Sequence, residues 1–574
     1  MAGTETCCGK GFSRGLEWWG YGERISSHAS REISIEADLN LWLSMLPMEA
    51  DMKKVLTAIF LIGALAPLAF SQILAAKVTG GEVQGVVTEG ISIFKGIPFA
   101  APPMGDLRWK APAPVQPWTG IKKADAFGLA CMQAANSMGN TAPVGENCLC
   151  LNVWTPAKKP GEKIPVIVWI YGGGFSGGST STPMYDGIGF AKKGVVLVSI
   201  AYRLGPFGFL AHPELSRESG RGSGAYGLED MIAGLKWVKA NITQFGGDPS
   251  NVTIYGHSAG GAAVSMLAAS PVTKGLFHRV ICMSGGSFGP LQTSNQAGAG
   301  MGIPALNLAE SRGEAFLKKL GAADIKAARA LSAEAIQKSI EGGMGGGGFR
   351  PAADGYVVPN DLYSLYQGGR FNDTPLLLGN TSEEAATMGG RGNITPEAFE
   401  KQIKSQYGAH ADVILSGYPH STDAEAAKAS RAVRQSSSSW NTWTWARLQS
   451  QKGKGKAFEY IFDYIHTSPD VGSGHGSDVP YAFQTLSGGR GGAPKPEDLK
   501  LSDMISSYWV NFAKNGDPNG PGLPRWPAFA ENDLKVMVFD ATPSARPLPN
   551  LENVKVFDAY ISWLRGQAKK SGGQ

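Results

Sequence analysis

The stretch from Asn251 to Ser270 constrains the chain more than any other. Val252 to Tyr255 is a β-branched and aromatic run, the pattern of a short buried strand. A run of small apolar residues follows and reads as a helix, stopped by Pro271. Between them stands Gly256-His257-Ser258-Ala259-Gly260, a G-x-S-x-G pentapeptide. A sharp strand-to-helix turn needs glycine two positions either side of the serine, where strand and helix cross closely. The serine oxygen then projects above the sheet edge at the positive end of the helix dipole. The pentapeptide alone matches by chance in loops rich in glycine and serine. Strand before and helix after make Ser258 a candidate nucleophile.

A chain of 574 residues buries a large core, and 43% hydrophobic with 18% charged residues is a globular composition. The 77 glycines and 35 prolines fit long irregular loops. The net charge of +5 comes from scattered lysines and arginines without a dense basic stripe, which argues against nucleic acid. No CxxC pair or HExxH helix calls for a metal, and nothing calls for a cofactor.

Met52-Lys53-Lys54 followed by the apolar run Val55 to Phe70 has the parts of a secretory signal over 52–71. Cleavage is expected after Ser71 or as late as Ala76, with a secreted or periplasmic product. The apolar run is short for a membrane span, so no stable membrane insertion is expected once it is cut; the alternative is an uncleaved anchor. Residues 1–51 show no clean periodicity and read as an upstream extension outside the fold, with Met52 as the natural start. The catalytic domain is expected over 77–566, with a disordered polar tail over 567–574.

Val78 to Phe94 reads as a meander of short edge strands. Cys131 and Cys148 flank a polar segment, and their spacing suggests a disulfide worth about 3 kcal/mol. Cys150 is a rival for that bridge, because period-two alternation puts Cys148 and Cys150 on one face. Ile164 to Tyr171 is a nearly continuous apolar run, the pattern of a parallel strand covered on both faces. It leads into Gly172-Gly173-Gly174-Phe175, where backbone N–H groups can face a ligand unobstructed, as an oxyanion hole requires. Val195 to Tyr202 is a further buried strand, and Leu228, Met231, Ile232, Leu235, Val238 and Ile242 recur at helical spacing.

Several motifs together resemble the type-B carboxylesterases, the cholinesterase-containing family of the α/β-hydrolase fold. They are Gly96 to Arg108, Glu146 to Pro156, Trp169 to Phe175, Tyr202 to Phe209, Asn241 to Val252, the pentapeptide around Ser258, and Asn511 to Asn519 with Trp526-Pro527. The resemblance covers nearly everything from Lys77 to about Leu564. It implies an α/β fold, with a large central, mostly parallel sheet flanked by helices, a helical cover and long loops. It also implies a Cys131–Cys148 bridge. Two departures stand out: His257 occupies a position where the family usually has Glu, and Cys150 stands where an aromatic is usual.

A serine nucleophile needs a base to take its proton and a carboxylate to orient that base. In α/β-hydrolases the order is Ser, acid, His. Of the histidines far enough along, His475 sits in the polar loop Gly472 to Asp478, where an imidazole can approach the serine. His410, His420 and His466 read as surface or core residues. The family's His-Gly-x-(Asp/Glu)-x-Pro-Tyr pattern also falls on His475 to Tyr481. Thr374 to Ala385 reads as a buried strand ending in Glu383 and Glu384, and the family pattern puts the acid on Glu384. Asp354 is a rival that reads better as a turn residue.

His257, next to the serine, points away on a sharp turn and reads as a pocket or supporting group. Ser284 reads either as a group hydrogen-bonding near the triad or as a plain strand-end serine. Residues 305–341 read as a helical cover, and the glycine run 342–348 as a connector or hinge. Trp440, Trp443 and Trp445 read as core, with Trp443 and Phe175 also candidates for the substrate pocket.

The expected activity is serine ester hydrolysis of small-molecule esters through an acyl-enzyme, with Gly173, Gly174 and Ala259 amides holding the oxyanion. Uncharged short-chain or aryl esters are expected over choline esters. Alternatives are a bulkier specialised ester (feruloyl-type, carbamate or lactone) or a non-catalytic binding protein on the same fold.

Overall fold

In the computed structural model the described residues are 72–571, without 136, 138–139, 295–301, 342–347, 388–393, 466–471 and 487–492. The expected extension and signal segment, His466 and nearly all of the 342–348 glycine run lie outside them.

Eleven strands form one sheet. In chain order they are β1 (Val86–Thr88), β2 (Ile91–Pro98), β3 (Cys150–Thr155), β4 (Ile164–Ile170), β5 (Val196–Ile200) and β6 (Gly247–His257). There follow β7 (Arg279–Met283), β8 (Leu376–Thr381), β9 (Ala457–Phe462), β10 (Lys535–Phe539) and β11 (Ser544–Pro547). Their spatial order is β11-β10-β9-β8-β7-β6-β4-β5-β3-β2-β1. The block from β5 to β10 is parallel throughout. Antiparallel pairs finish both edges. The apolar runs explain the parallel block: Val166 to Tyr171 and Val195 to Leu197 are fully buried, as strands covered on both faces must be.

Helix α1 (Tyr226–Asn241) carries the expected helical spacing, and a single 3-10 turn after it ends at Gly246 in a left-handed conformation. The chain then enters β6, which starts at Gly247, well before the Val252 expected from β-branching. After β6 comes α2 (Ala259–Ala269); α3 (Leu306–Leu320), with two short helices after it, provides the expected helical segment. Helix α4 (Asp423–Lys452) crosses behind β8 and β9 and packs on the last long helix, α6 (Leu551–Ser571), with α5 (Pro496–Asn515) between them in the chain.

Two buried ion pairs account for motif residues remote from the serine. Arg203 grips Asp230 with two 2.8 Å side-chain bonds, and Arg108 grips Glu146 at 2.6 Å while also donating to the carbonyls of Arg329 and Leu331. Both are bidentate, the geometry that holds arginine and carboxylate rigidly.

Several boundaries differ from expectation. The first strand is Ala75–Val78, paired with Gly81–Gln84, so ordered structure begins before Lys77 and a cut after Ala76 would halve a strand. The last helix continues to Ser571, past the Gln567 at which disorder was expected, because its buried Val554, Phe557, Tyr560 and Ile561 anchor it. Among the described residues no helix is long and apolar enough to cross a membrane.

Candidate active site

The order of the sheet reverses around β4, with β5 on one side and β6 on the other. Ligands of open α/β sheets bind at such a switch point, beyond the carboxyl ends of the strands. Here the loops leaving β4 and β6 are Gly172 to Phe175 and the turn at Ser258.

Ser258 has φ 58° and ψ −122°, a region that non-glycine residues rarely occupy. Its N–H donates to the Met283 carbonyl at 2.9 Å and its carbonyl accepts from Ala262 N–H at 2.8 Å, which hold the turn. The flanking glycines are needed for space. A Cβ on Gly256 would lie 2.2 Å from the Gly260 oxygen, and one on Gly260 would lie 2.1 Å from the Ile170 oxygen.

His475 reaches Ser258 from the loop after β9, its Nε2 2.9 Å from the serine Oγ. Its Nδ1 hydrogen-bonds Glu384 Oε2. The other Glu384 oxygen accepts from Ser284 Oγ (2.7 Å), Thr381 N–H (2.8 Å) and Thr381 Oγ1 (2.9 Å). Gln435 of α4 accepts from Glu384 N–H at 2.8 Å and donates to the Thr381 carbonyl at 2.8 Å, fixing the acid's backbone. Glu383 N–H donates to the Ser473 carbonyl, which ties the acid segment to the histidine loop.

Burial opposes the charge on Glu384, yet the His475 imidazole and the Ser284 and Thr381 donors outweigh it and bring the carboxyl down to about 2. Burial also opposes the charge on His475, but Glu384, with a smaller contribution from Asp478, raises its pKa above the ordinary histidine value. Asp478 is buried under the loop and accepts from Tyr460 Oη at 2.7 Å; burial pushes its carboxyl up to about 7. This arrangement can deprotonate a serine and stabilise the resulting imidazolium.

Facing the serine, Gly173 (φ 116°), Gly174 (φ 63°) and Phe175 (φ 62°) all take left-handed conformations. A Cβ on Gly172 would lie 2.8 Å from Ser258 Cβ, so the loop's approach requires glycine there. Among the described residues, the amides of Gly173, Gly174 and Ala259 donate to no protein acceptor. Such donors are available to an oxyanion.

The remaining candidates separate cleanly. Glu383 turns to Arg431, 3.7 Å away, and Asp354 accepts from the amides of Tyr356, Val357 and Val358 as a turn residue does. His410 stacks on Trp563, and His420 contacts the Tyr418 carbonyl. His257 packs its ring 4.7 Å from that of His475, and its Nε2 is buried without a partner. Burial and the neighbouring His475 push His257 down to about 3, so it stays neutral. Phe175 is buried edge-on against Phe209, with ring centres 5.1 Å apart. Trp443 is buried in α4 under the Arg447 guanidinium (4.1 Å), which pairs with Asp558 of α6.

Cys131 and Cys148 form the disulfide, and Cys150 is a buried free thiol. The alternation that made Cys150 a rival does not apply, because β3 starts only at Cys150 and Cys150 N–H turns back to the Cys148 carbonyl at 2.8 Å. Gln133, just inside the disulfide loop, exchanges hydrogen bonds with both backbone groups of Gly178, beyond the glycine loop.

Sequence motifs single out neither Gln435, which reaches Glu384 from a helix without a motif, nor Thr381, which bonds it from the end of the strand that leads to it. Sheet order, serine turn and facing glycine loop define an α/β-hydrolase. The Carboxylesterase family profile matches residues 71–557, and the chain belongs to that family. It is 35% identical over 500 residues to the fumonisin B1 esterase of Sphingopyxis macrogoltabida, covering 84% of this chain and 89% of that one. With the para-nitrobenzyl esterase of Bacillus subtilis (strain 168) it shares 32% over 487 residues, 80% of this chain and 94% of the other. A solved PNB esterase structure superposes with TM-score 0.72 at 30% identity, over 84% of this chain and all of the other. A Geobacillus stearothermophilus carboxylesterase does so with TM-score 0.72 at 29%, over 84% and 99%. The protein is accordingly a carboxylic ester hydrolase, and its substrates are small-molecule esters.

Proposed function

We propose that Ser258, His475 and Glu384 are the catalytic triad of this carboxylesterase. The observation that carries this reading is the continuous hydrogen-bond chain from Ser258 Oγ through both ring nitrogens of His475 to Glu384. Ser258 Oγ attacks the ester carbonyl as His475 Nε2 takes its proton, and the carbonyl oxygen becomes an oxyanion. The amides of Gly173, Gly174 and Ala259 donate to that oxyanion, while Glu384 stabilises the imidazolium. As the tetrahedral intermediate collapses, the C–O bond breaks and His475 protonates the leaving alcohol. Water then attacks the acyl-enzyme, again losing its proton to His475, and the acid leaves as Ser258 is restored.

His257 supports this chemistry by packing against His475. Its neutral ring lies beside the imidazole, 4.7 Å from it centre to centre.

Ser258→Ala is expected to lower kcat by about 10³-fold or more with substrate binding retained, and His475→Ala by nearly as much. His257→Ala is expected to have a far smaller effect. Steady-state kinetics on 4-nitrophenyl acetate checks this. Loss of turnover in His257→Ala with His475→Ala still active would reverse the assignment of the base.

A further inference from the structure

Beyond the glycine loop lies a cavity of about 540 Å³ that the triad reading leaves unused. Phe209, Phe316 and Phe349 contribute to its apolar lining, and among the described lining residues Arg312, Lys319 and Arg350 bring three cations with no carboxylate. Helix α3 supplies Arg312, Phe316 and Lys319 at i, i+4 and i+7, which puts a cation, an aromatic and a cation along one helix face. Phe316 packs edge-on to Phe349 with ring centres 4.8 Å apart, and the next residue is Arg350. Loss of hydration and the like charge of Arg312 both weaken the hold of Arg350 on its proton. Neither Arg350 nor Lys319 has an ion-pair partner among the described residues, so an incoming anion would meet charge that nothing yet neutralises.

The cavity is coupled to the catalytic loop through two rings. Phe209 lines it and packs on Phe175, the residue that follows the three glycines. The Phe175 carbonyl also accepts from Gly205 N–H at 2.7 Å, and Ile340 of the cavity lies 3.8 Å from where a Gly205 Cβ would stand. Phe175 and Phe209 thus stand between the glycine loop and the cavity.

We propose that this cavity is a subsite for a carboxylate carried on a long arm of the ester substrate, with Arg350 and Lys319 as its specificity residues. The inference rests on the serine-esterase reading of the site. Guanidinium binds carboxylate through paired, charge-assisted hydrogen bonds, and the aromatic walls suit the methylene arm.

Two substrate series test it. In 4-nitrophenyl half-esters of α,ω-diacids the carboxylate sits on the acyl arm, and in ω-acetoxy acids it sits on the alcohol arm. Each is compared with its methyl-capped counterpart at graded length. In at least one series, kcat/KM for the long free acid is expected to exceed that of the capped ester by about tenfold or more. The advantage should shrink as salt is raised. In Arg350→Gln with Lys319→Gln the ratio of free to capped substrate should fall to near unity, and Arg350→Lys should keep part of it. The ratio is read whatever the absolute rate of each variant. Equal rates for free and capped esters at every length in both series would overturn the proposal, as would an advantage that survives the double substitution. Turnover of 4-nitrophenyl acetate, and its loss in Ser258→Ala, reports separately on the triad reading.

Discussion

At the scale of single residues, the chemistry turns on which protonation state each group holds. In the proposed triad His475 must be neutral to accept the serine proton, and Glu384 and Asp478 raise its pKa above the ordinary value of about 6.5. A raised pKa keeps the proton on to higher pH, so the base is lost as pH falls through that raised value. The acid limb of kcat/KM is therefore expected above about pH 6.5. Glu384, held down to about 2, stays ionised across the whole limb. Glu384→Gln removes the charge that raises His475, and the limb should move to lower pH while kcat falls. A pH profile of both forms on a neutral aryl ester checks this; a limb that does not move would mean Glu384 has no electrostatic hold on the base. His257, neutral throughout, should leave no limb of its own.

At the scale of elements, the disulfide loop and the glycine loop act as one unit. Gln133 clasps Gly178 through two side-chain bonds, and a Cβ on Gly177 would strike the Ser137 hydroxyl at 2.1 Å. Opening the bridge with Cys131→Ser and Cys148→Ser is expected to remove about 3 kcal/mol of stability by loop-closure entropy. Loosening this support should also lower kcat more than it raises KM, because oxyanion donors act in the transition state. Thermal unfolding and steady-state kinetics of the double variant check both parts; an unchanged melting temperature with unchanged kcat would contradict them. The elements that carry this unit were legible in the sequence where a physical pattern is local. The continuous apolar run into Gly172, the strand–turn–helix around Ser258 and the polar loop at His475 all appear where expected. Other features depend on contacts that no local pattern encodes. Gln435 sits in a polar stretch of α4 whose sequence resembles a solvated surface, yet it fixes the backbone of Glu384. Arg447 covers Trp443, four residues before it on the same helix, but its ion pair with Asp558 of α6 is a long-range contact that no local spacing specifies. Gly247 joins β6 by pairing with Ile164 of β4, and the turn-forming Asp248 to Asn251 fall in the break of register before Val252.

At the scale of the whole molecule, charge and aromatic placement bear on which esters reach Ser258. The loop closed by Cys131 and Cys148 has no aromatic residue, so it offers no ring for a quaternary ammonium, an interaction worth about 0.5–2 kcal/mol. The chain carries a net +5, and the cavity beyond Phe209 adds three cations near the site. Neutral acetates, alkyl or phenyl, are therefore expected to show higher kcat/KM than acetylcholine. A clear preference for acetylcholine would mean that an aromatic such as Phe175 supplies the missing face. All of these expectations depend on Ser258 being the nucleophile. The most direct test is to treat the protein with diethyl 4-nitrophenyl phosphate and locate the phosphoryl group by peptide mass spectrometry. Attack by an activated serine displaces 4-nitrophenolate and leaves a stable phosphoryl ester. The label is expected on Ser258, accumulating in step with the loss of ester hydrolysis. Complete inactivation with Ser258 unmodified and the label on another residue would contradict the account.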